Sequence, residues 1–83
     1  MPKLTLEIVV NGTPTQVESN PEAPLLTVVP IALQQTNNVG QPPDNWELRD
    51  SSGNLLDLHA KIESFGFGAG VRLFLNLKAG IGG

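Results

Sequence analysis

Along the first ten positions apolar and polar side chains take turns. Leu4, Leu6 and Ile8 fall on one side of an extended chain, and Thr5, Glu7 and Val9 on the other. A period of two with β-branched residues marks a half-buried strand. Asn11-Gly12 follows at once, and both residues tolerate the positive φ that a tight two-residue hairpin requires. Thr13 to Ser19 then reads as the returning strand, with Thr15 and Val17 sharing a face. From Thr27 the period lengthens. Val28, Ile31, Ala32 and Gln35 recur at helical spacing, Val29 and Leu33 flank that stripe, and Thr27 is placed to cap it. Pro30 fits a first turn, whose backbone donors lack intrahelical partners, so it sets the start at Thr27 rather than Leu25. Asn37-Asn38-Val39-Gly40 supplies the stop, with Gly40 as the left-handed cap.

Gln41-Pro42-Pro43-Asp44 is a rigid exit, because each residue before a proline is pushed out of the helical region. Trp46 to Asp50 alternates again, Trp46 and Leu48 against Glu47 and Arg49. A turn at Ser51-Ser52-Gly53-Asn54 leads to a very short strand at Leu55-Leu56. His59 to Phe67 reads as a loop with a helical turn that sends Ile62 and Phe65 inward. The last strand, Val71 to Leu77, places Val71, Leu73, Leu75 and Leu77 inward and Arg72, Phe74 and Asn76 outward. For a sheet of four or five strands to bury one face, the single helix must lie across it. The final strand has no hairpin to the first, so it inserts beside it, in parallel, at the sheet centre. That α+β layout is the β-grasp, a mixed four- to five-stranded sheet with one helix across one face. It accounts for residues 1–77 and leaves 78–83 as a tail.

Composition narrows the function classes. With 83 residues, 40% hydrophobic and 16% charged, the chain is long enough for one modest core. It has no cysteine, which removes disulfides, thiolate nucleophiles and zinc–thiolate sites together. The formal charge is −3 and the basic residues are scattered at Lys3, Arg49, Lys61, Arg72 and Lys78, so no nucleic-acid footprint is expected. No apolar run approaches the ~20 residues of a membrane span. Met1-Pro2-Lys3-Leu4-Thr5 lacks the apolar core of a secretion signal. A cytoplasmic location is expected.

Candidate chemistry concentrates at the end. Lys78-Ala79-Gly80-Ile81-Gly82-Gly83 is half glycine, each with a large backbone entropy to lose on ordering. Such an end is either a frayed linker or a reactive handle, whose unhindered carboxylate threads a narrow channel in another protein. Elsewhere the signals are weaker. His59 is the only histidine, with no nucleophile, orienting carboxylate or further ligands placed for a triad or metal site. No catalytic or metal-binding residue is assigned. Gly66, Gly68 and Gly70 lack the following helix and lysine of a phosphate loop and read as turns. Trp46 is either a binding anchor or core. Phe74 is either a lone exposed aromatic or the centre of a mixed apolar and basic partner surface with Arg49 and Arg72.

The helix beginning at a threonine, the spacing from Thr27 to Pro42-Pro43-Asp44 with Gly40 in register, and the leucine-rich strand running into Gly82-Gly83 together resemble ubiquitin. The similarity spans nearly the whole chain. It is greater to the divergent bacterial ubiquitin-like modifiers encoded beside their own activating enzyme, conjugating enzyme and deconjugating metalloprotease, systems associated with antiphage defence. The resemblance implies a non-enzymatic modifier that binds no cofactor itself and is monomeric when free. A partner activating enzyme would use ATP and magnesium to adenylate Gly83, Gly82 would keep the acyl group unhindered, and a thioester would precede an isopeptide bond to an amine of a target protein. Lys78, Ala79, Gly80 and Ile81 would contact that enzyme, and Lys3, Lys61 and Lys78 are the possible acceptors in chains of the protein itself. The tail lacks the arginines of ubiquitin, which implies a dedicated activating enzyme. Arg49 stands where ubiquitin's recognition patch carries an isoleucine, so binders of that patch need not recognise this chain. A sulfur carrier ending in a Gly83 thiocarboxylate and a non-covalent adaptor share the fold and remain open.

Overall fold

The computed structural model describes residues 3–80. β1 (Leu4–Val10) and β2 (Thr13–Ser19) form the expected antiparallel hairpin, with Val10 opposite Thr13 and Leu4 opposite Ser19. The loop takes positive φ at both residues, 48° at Asn11 and 89° at Gly12, as two-residue hairpins demand. Leu6, Ile8, Val10 and Val17 are buried on the inner face. Ser19 is buried too, and its hydroxyl is satisfied by donating to the Leu4 carbonyl at 2.7 Å.

The helix departs from the sequence expectation at both ends and in its rotation. A 3-10 turn, Leu25–Thr27, runs directly into α1, Val28–Gln35. Thr27 has helical dihedrals and its Oγ1 donates to the Pro24 carbonyl at 2.7 Å, so it makes no N-cap. The entry is anchored instead by Leu25, fully buried, whose N–H donates to Ala60. Pro30 does occupy the first turn of α1, where its missing N–H costs little. At the other end Asn37, φ 60°, takes the left-handed position expected of Gly40. The Asn38 N–H reaches the Leu33 carbonyl at 2.8 Å and the Asn37 N–H that of Gln34 at 3.1 Å, a Schellman closure. Asparagine tolerates that region, so no glycine is needed. The buried stripe is Val28, Val29, Ala32 and Leu33, whereas Ile31 is 41% exposed and Gln35 is exposed. At 100° per residue Ile31 lies roughly 130° from the centre of that stripe. Burying those side chains at about 1.5–3 kcal/mol for each large one supplies what so short a helix lacks in isolation.

Pro43–Asn45 forms a second 3-10 turn that feeds β3, Trp46–Arg49. The expected strand at Leu55-Leu56 reduces to a single bridge, Leu55 opposite Arg49. Asp50 folds the intervening residues into a closed loop, its carboxylate accepting the N–H groups of Ser52 and Asn54. Ile62–Phe65 is the anticipated helical turn, with Ile62 buried and Phe65 packed against the core. β4, Arg72–Leu77, completes a four-stranded sheet in the order β2-β1-β4-β3. It lies parallel to β1 and antiparallel to β3, at the centre as the pattern requires. Leu73 and Leu75 face α1 from the middle of the sheet, between Ile8 and Val10 on one side and Leu48 on the other.

Candidate partner face and C-terminal segment

The outer face of the sheet carries a row of side chains across all four strands. Pro14 stands opposite Val9, Val9 opposite Phe74, and Phe74 opposite Arg49. Phe74 is half-buried among them. Glu7, Val9, Gly12, Pro14, Arg72 and Phe74 line a shallow groove of about 340 Å³. The three residues singled out from the sequence, Arg49, Arg72 and Phe74, are therefore brought together on one surface. Their charge is not what the sequence suggested. The Arg72 guanidinium pairs with Glu7, and that of Arg49 with Glu47 at 3.3 Å and with the Gly53 carbonyl at 2.8 Å. The surface is an apolar centre with balanced ion pairs on its rim rather than a basic patch. Glu7 and Val9 were visible as the outward half of the β1 alternation; their register against Arg72 and Phe74 needed the structure.

β4 carries the chain from this face toward its end. The Lys78 N–H donates to the Asn45 carbonyl at 2.8 Å, which ties the strand's exit to the turn before β3. Lys78, Ala79 and Gly80 are exposed, and Gly80 adopts φ 85° in a turn. Ile81, Gly82 and Gly83 lie outside the described residues. Lys3, Lys61 and Lys78 are all exposed. Glu7 is level with Arg72 in the parallel pair, so Lys3 lies four positions before that level and Lys78 six beyond it. At about 3.3 Å per residue the two backbones stand roughly 30 Å apart along the strands.

His59 is exposed, and its backbone N–H is held by the Asp57 carboxylate at 2.9 Å. Among the described residues no group of three histidine or acidic side chains could hold a metal ion. Trp46 is core, 3% exposed, but its Nε1 is buried with no hydrogen-bond partner among the described residues. Nothing in the sequence signalled that. Hydrogen bonds from the Asn54 backbone and side chain, then those from Ser52 and Gly53, hold the Asp50 carboxyl below the ordinary 3.8.

A hairpin, one helix across the inner face and a central parallel last strand make this a ubiquitin-like β-grasp protein. The full chain, residues 1–83, matches the family described as protein of unknown function (DUF2604), and it belongs to that family. It is 53% identical over 81 residues to the uncharacterized protein y4jI of Sinorhizobium fredii (strain NBRC 101917 / NGR234), covering 98% of this chain and 62% of that protein. The chain thus spans under two thirds of that relative's length. Among solved structures, the ubiquitin of Caldiarchaeum subterraneum aligns with a TM-score of 0.76 at 24% identity, over 98% of this chain and 100% of that one. The UBL domain of Plasmodium falciparum Dsk2 aligns with a TM-score of 0.73 at 17% identity, over 93% and 100%. These likenesses concern the fold. No helix among the described residues is long and apolar enough to cross a membrane.

Proposed function

We propose that the protein is a ubiquitin-like modifier, joined through the carboxyl group of Gly83 to amines of target proteins. One observation carries the reading: in a ubiquitin-like fold, the central strand β4 leads out through the exposed Lys78, Ala79 and Gly80, and the sequence continues Ile81-Gly82-Gly83. A carboxylate is a poor acyl donor in water, so a partner enzyme must convert it first to an acyl-adenylate with ATP and magnesium. A cysteine of that enzyme then displaces the nucleotide to give a thioester, and a target amine displaces the thiol. All catalysis in this scheme belongs to partners. The chain contributes the unhindered acyl group of Gly83 and a folded body by which the enzymes recognise it. The absence of tail arginines argues for a dedicated activating enzyme, with conjugating enzyme and metalloprotease as further partners in a bacterial, antiphage-type pathway of the cytoplasm.

The balanced face around Phe74 favours a second reading, a non-covalent adaptor, because it serves recognition without Gly83. A sulfur carrier uses the same adenylate, attacked by sulfur instead of an enzyme thiol. Incubation with the cognate activating enzyme, ATP and magnesium separates the three. A thiol-sensitive adduct that needs Gly83, followed by transfer of the whole chain to a protein amine, supports the modifier. A thiocarboxylate product, heavier by the difference between sulfur and oxygen, supports the carrier. Unchanged partner binding after deletion of Gly82 and Gly83, with no adduct formed, supports the adaptor.

A further inference from the structure

From Ala23 to Pro43 the sequence has no charged residue; the five basic and eight acidic side chains all lie outside that stretch. It supplies the 3-10 turn Leu25–Thr27, all of α1 and the exit as far as Pro43. In a buried helix such neutrality would be ordinary, but this one is half surface. Pro30, Ile31, Gln34 and Gln35 are exposed on α1, as are Val39, Pro42 and Pro43 beyond it. Protein surfaces ordinarily carry charge at about a quarter to a third of their positions, and depletion of charge marks the centre of an interface. Ile31, 41% exposed, and Val39, 69% exposed, are two of the three large apolar side chains exposed among the described residues. A groove of about 180 Å³ is lined by Pro30 and Leu33 from α1 and by Val39, Pro42 and Pro43 from its exit.

The chemistry of this face rules out most occupants. The groove is smaller than the ~300–1,000 Å³ typical of small-molecule pockets. The stretch holds no basic residue for a phosphate or an anionic membrane, and no aromatic for a nucleic-acid base or a lipid interface. A charged side chain of a partner would lose its water here without gaining a counter-charge. We propose that two copies of the chain meet through this face, helix against helix about a two-fold axis, in place of the monomer that the resemblance implies. Two features favour the chain's own copy. Each chain carries a net charge of −3, and contact through a neutral stretch keeps like charges out of the interface. The face also holds both halves of an isologous fit. The edge of α1 at Pro30 and Ile31 projects beside the groove, so each copy seats its edge in the other's groove. The exposed Gln34 amide, donor and acceptor at once, meets its own counterpart near the axis. α1 covers the opposite side of the sheet from Phe74, so this contact leaves that face open and does not depend on conjugation through Gly83.

Sedimentation equilibrium of the full chain tests this. The weight-average mass is expected to rise from one chain toward two as concentration increases from micromolar to millimolar. Added salt strengthens the association, because it screens the like net charges, whereas an interface built on ion pairs weakens. Ile31→Lys and Val39→Lys, both at exposed positions, each bring two like charges to the contact. Each is expected to weaken the association at least about tenfold while the native amide spectrum is retained. Leu55→Lys, at the third exposed apolar position and outside the neutral stretch, leaves the association unchanged. The inference is overturned if the mass stays that of one chain at millimolar concentration, which leaves the face to a different protein. It is overturned equally if salt separates the pairs, or if Leu55→Lys weakens them as much as Ile31→Lys. Loss of pairing on removal of residues 81–83 also overturns it, by assigning the contact to the chain's own end.

Discussion

Truncation of Leu75 to alanine tests the placement of β4 most sharply. Leu75 is fully buried at the centre of the sheet, opposite Val10 of β1 and Leu48 of β3, both fully buried themselves. Removing most of its side chain leaves a cavity enclosed by paired strands and α1, a setting that collapses poorly, so the expected loss is about 2–5 kcal/mol. A chain of 83 residues at ~0.05–0.15 kcal/mol per residue has about 4–12 kcal/mol in all. Leu75→Ala therefore removes a large share and unfolds a weakly stable chain outright. Asn76, the next residue, is exposed on the other face, and Asn76→Ala is expected within about 0.5 kcal/mol of the parent. Urea unfolding followed by Trp46 emission measures both, with a midpoint lowered by roughly 1–5 M for Leu75→Ala if the slope is near 1–2 kcal/mol/M. A one-residue register slip would exchange the two effects, because it exchanges the faces. Comparable costs for the two variants, or a greater cost for Asn76→Ala, would refute the placement.

Other expectations follow from single contacts. Asn37→Ala forces a β-carbon-bearing residue without a stabilising amide into the left-handed region and is expected to cost about 1 kcal/mol, whereas Gly40→Ala changes the urea midpoint little. The Asp50 carboxyl is held below its ordinary 3.8, so its stabilisation is present above that pH and is lost as pH falls through its lower folded-state value. Asp50→Asn should flatten the acid limb of a midpoint-against-pH curve in that range, and an unchanged limb would contradict the loop's role. Glu7→Gln breaks an exposed ion pair, shifts stability by less than about 1 kcal/mol, and leaves Arg72 free; salt dependence of partner binding then increases.

The strands and their order were legible in the sequence because each has one buried face, and a period of two survives in so short a chain. Asn11-Gly12 announced its turn through the φ angles it alone tolerates well. The helix was harder. Six of the eight residues of α1 are apolar, so a stripe through Val28 and Ile31 looked as good as the real one through Val28, Val29 and Leu33. Its rotation is set by Leu25, a tertiary anchor outside the periodic segment. Thr27 and Gly40 were misread for a related reason: capping propensity names the residues able to close a helix, while burial of Leu25 fixes the entry and Asn37 already takes the left-handed position at the exit. Of the candidate surface, Phe74, Arg49 and Arg72 followed from alternation on two strands. Their neutralisation by Glu47 and Glu7 depends on side-chain pairing across strands, and the unpartnered indole of Trp46 depends on what its neighbours fail to offer. Neither leaves a trace in spacing.

The modifier reading meets its most direct test at Gly83. Incubated with its cognate activating enzyme, ATP and magnesium, the chain is expected to give an adduct of enzyme plus one chain that thiols dissolve, and deletion of Gly83 should abolish it. An active cognate enzyme that forms no adduct, or forms it equally well without Gly83, would contradict the account.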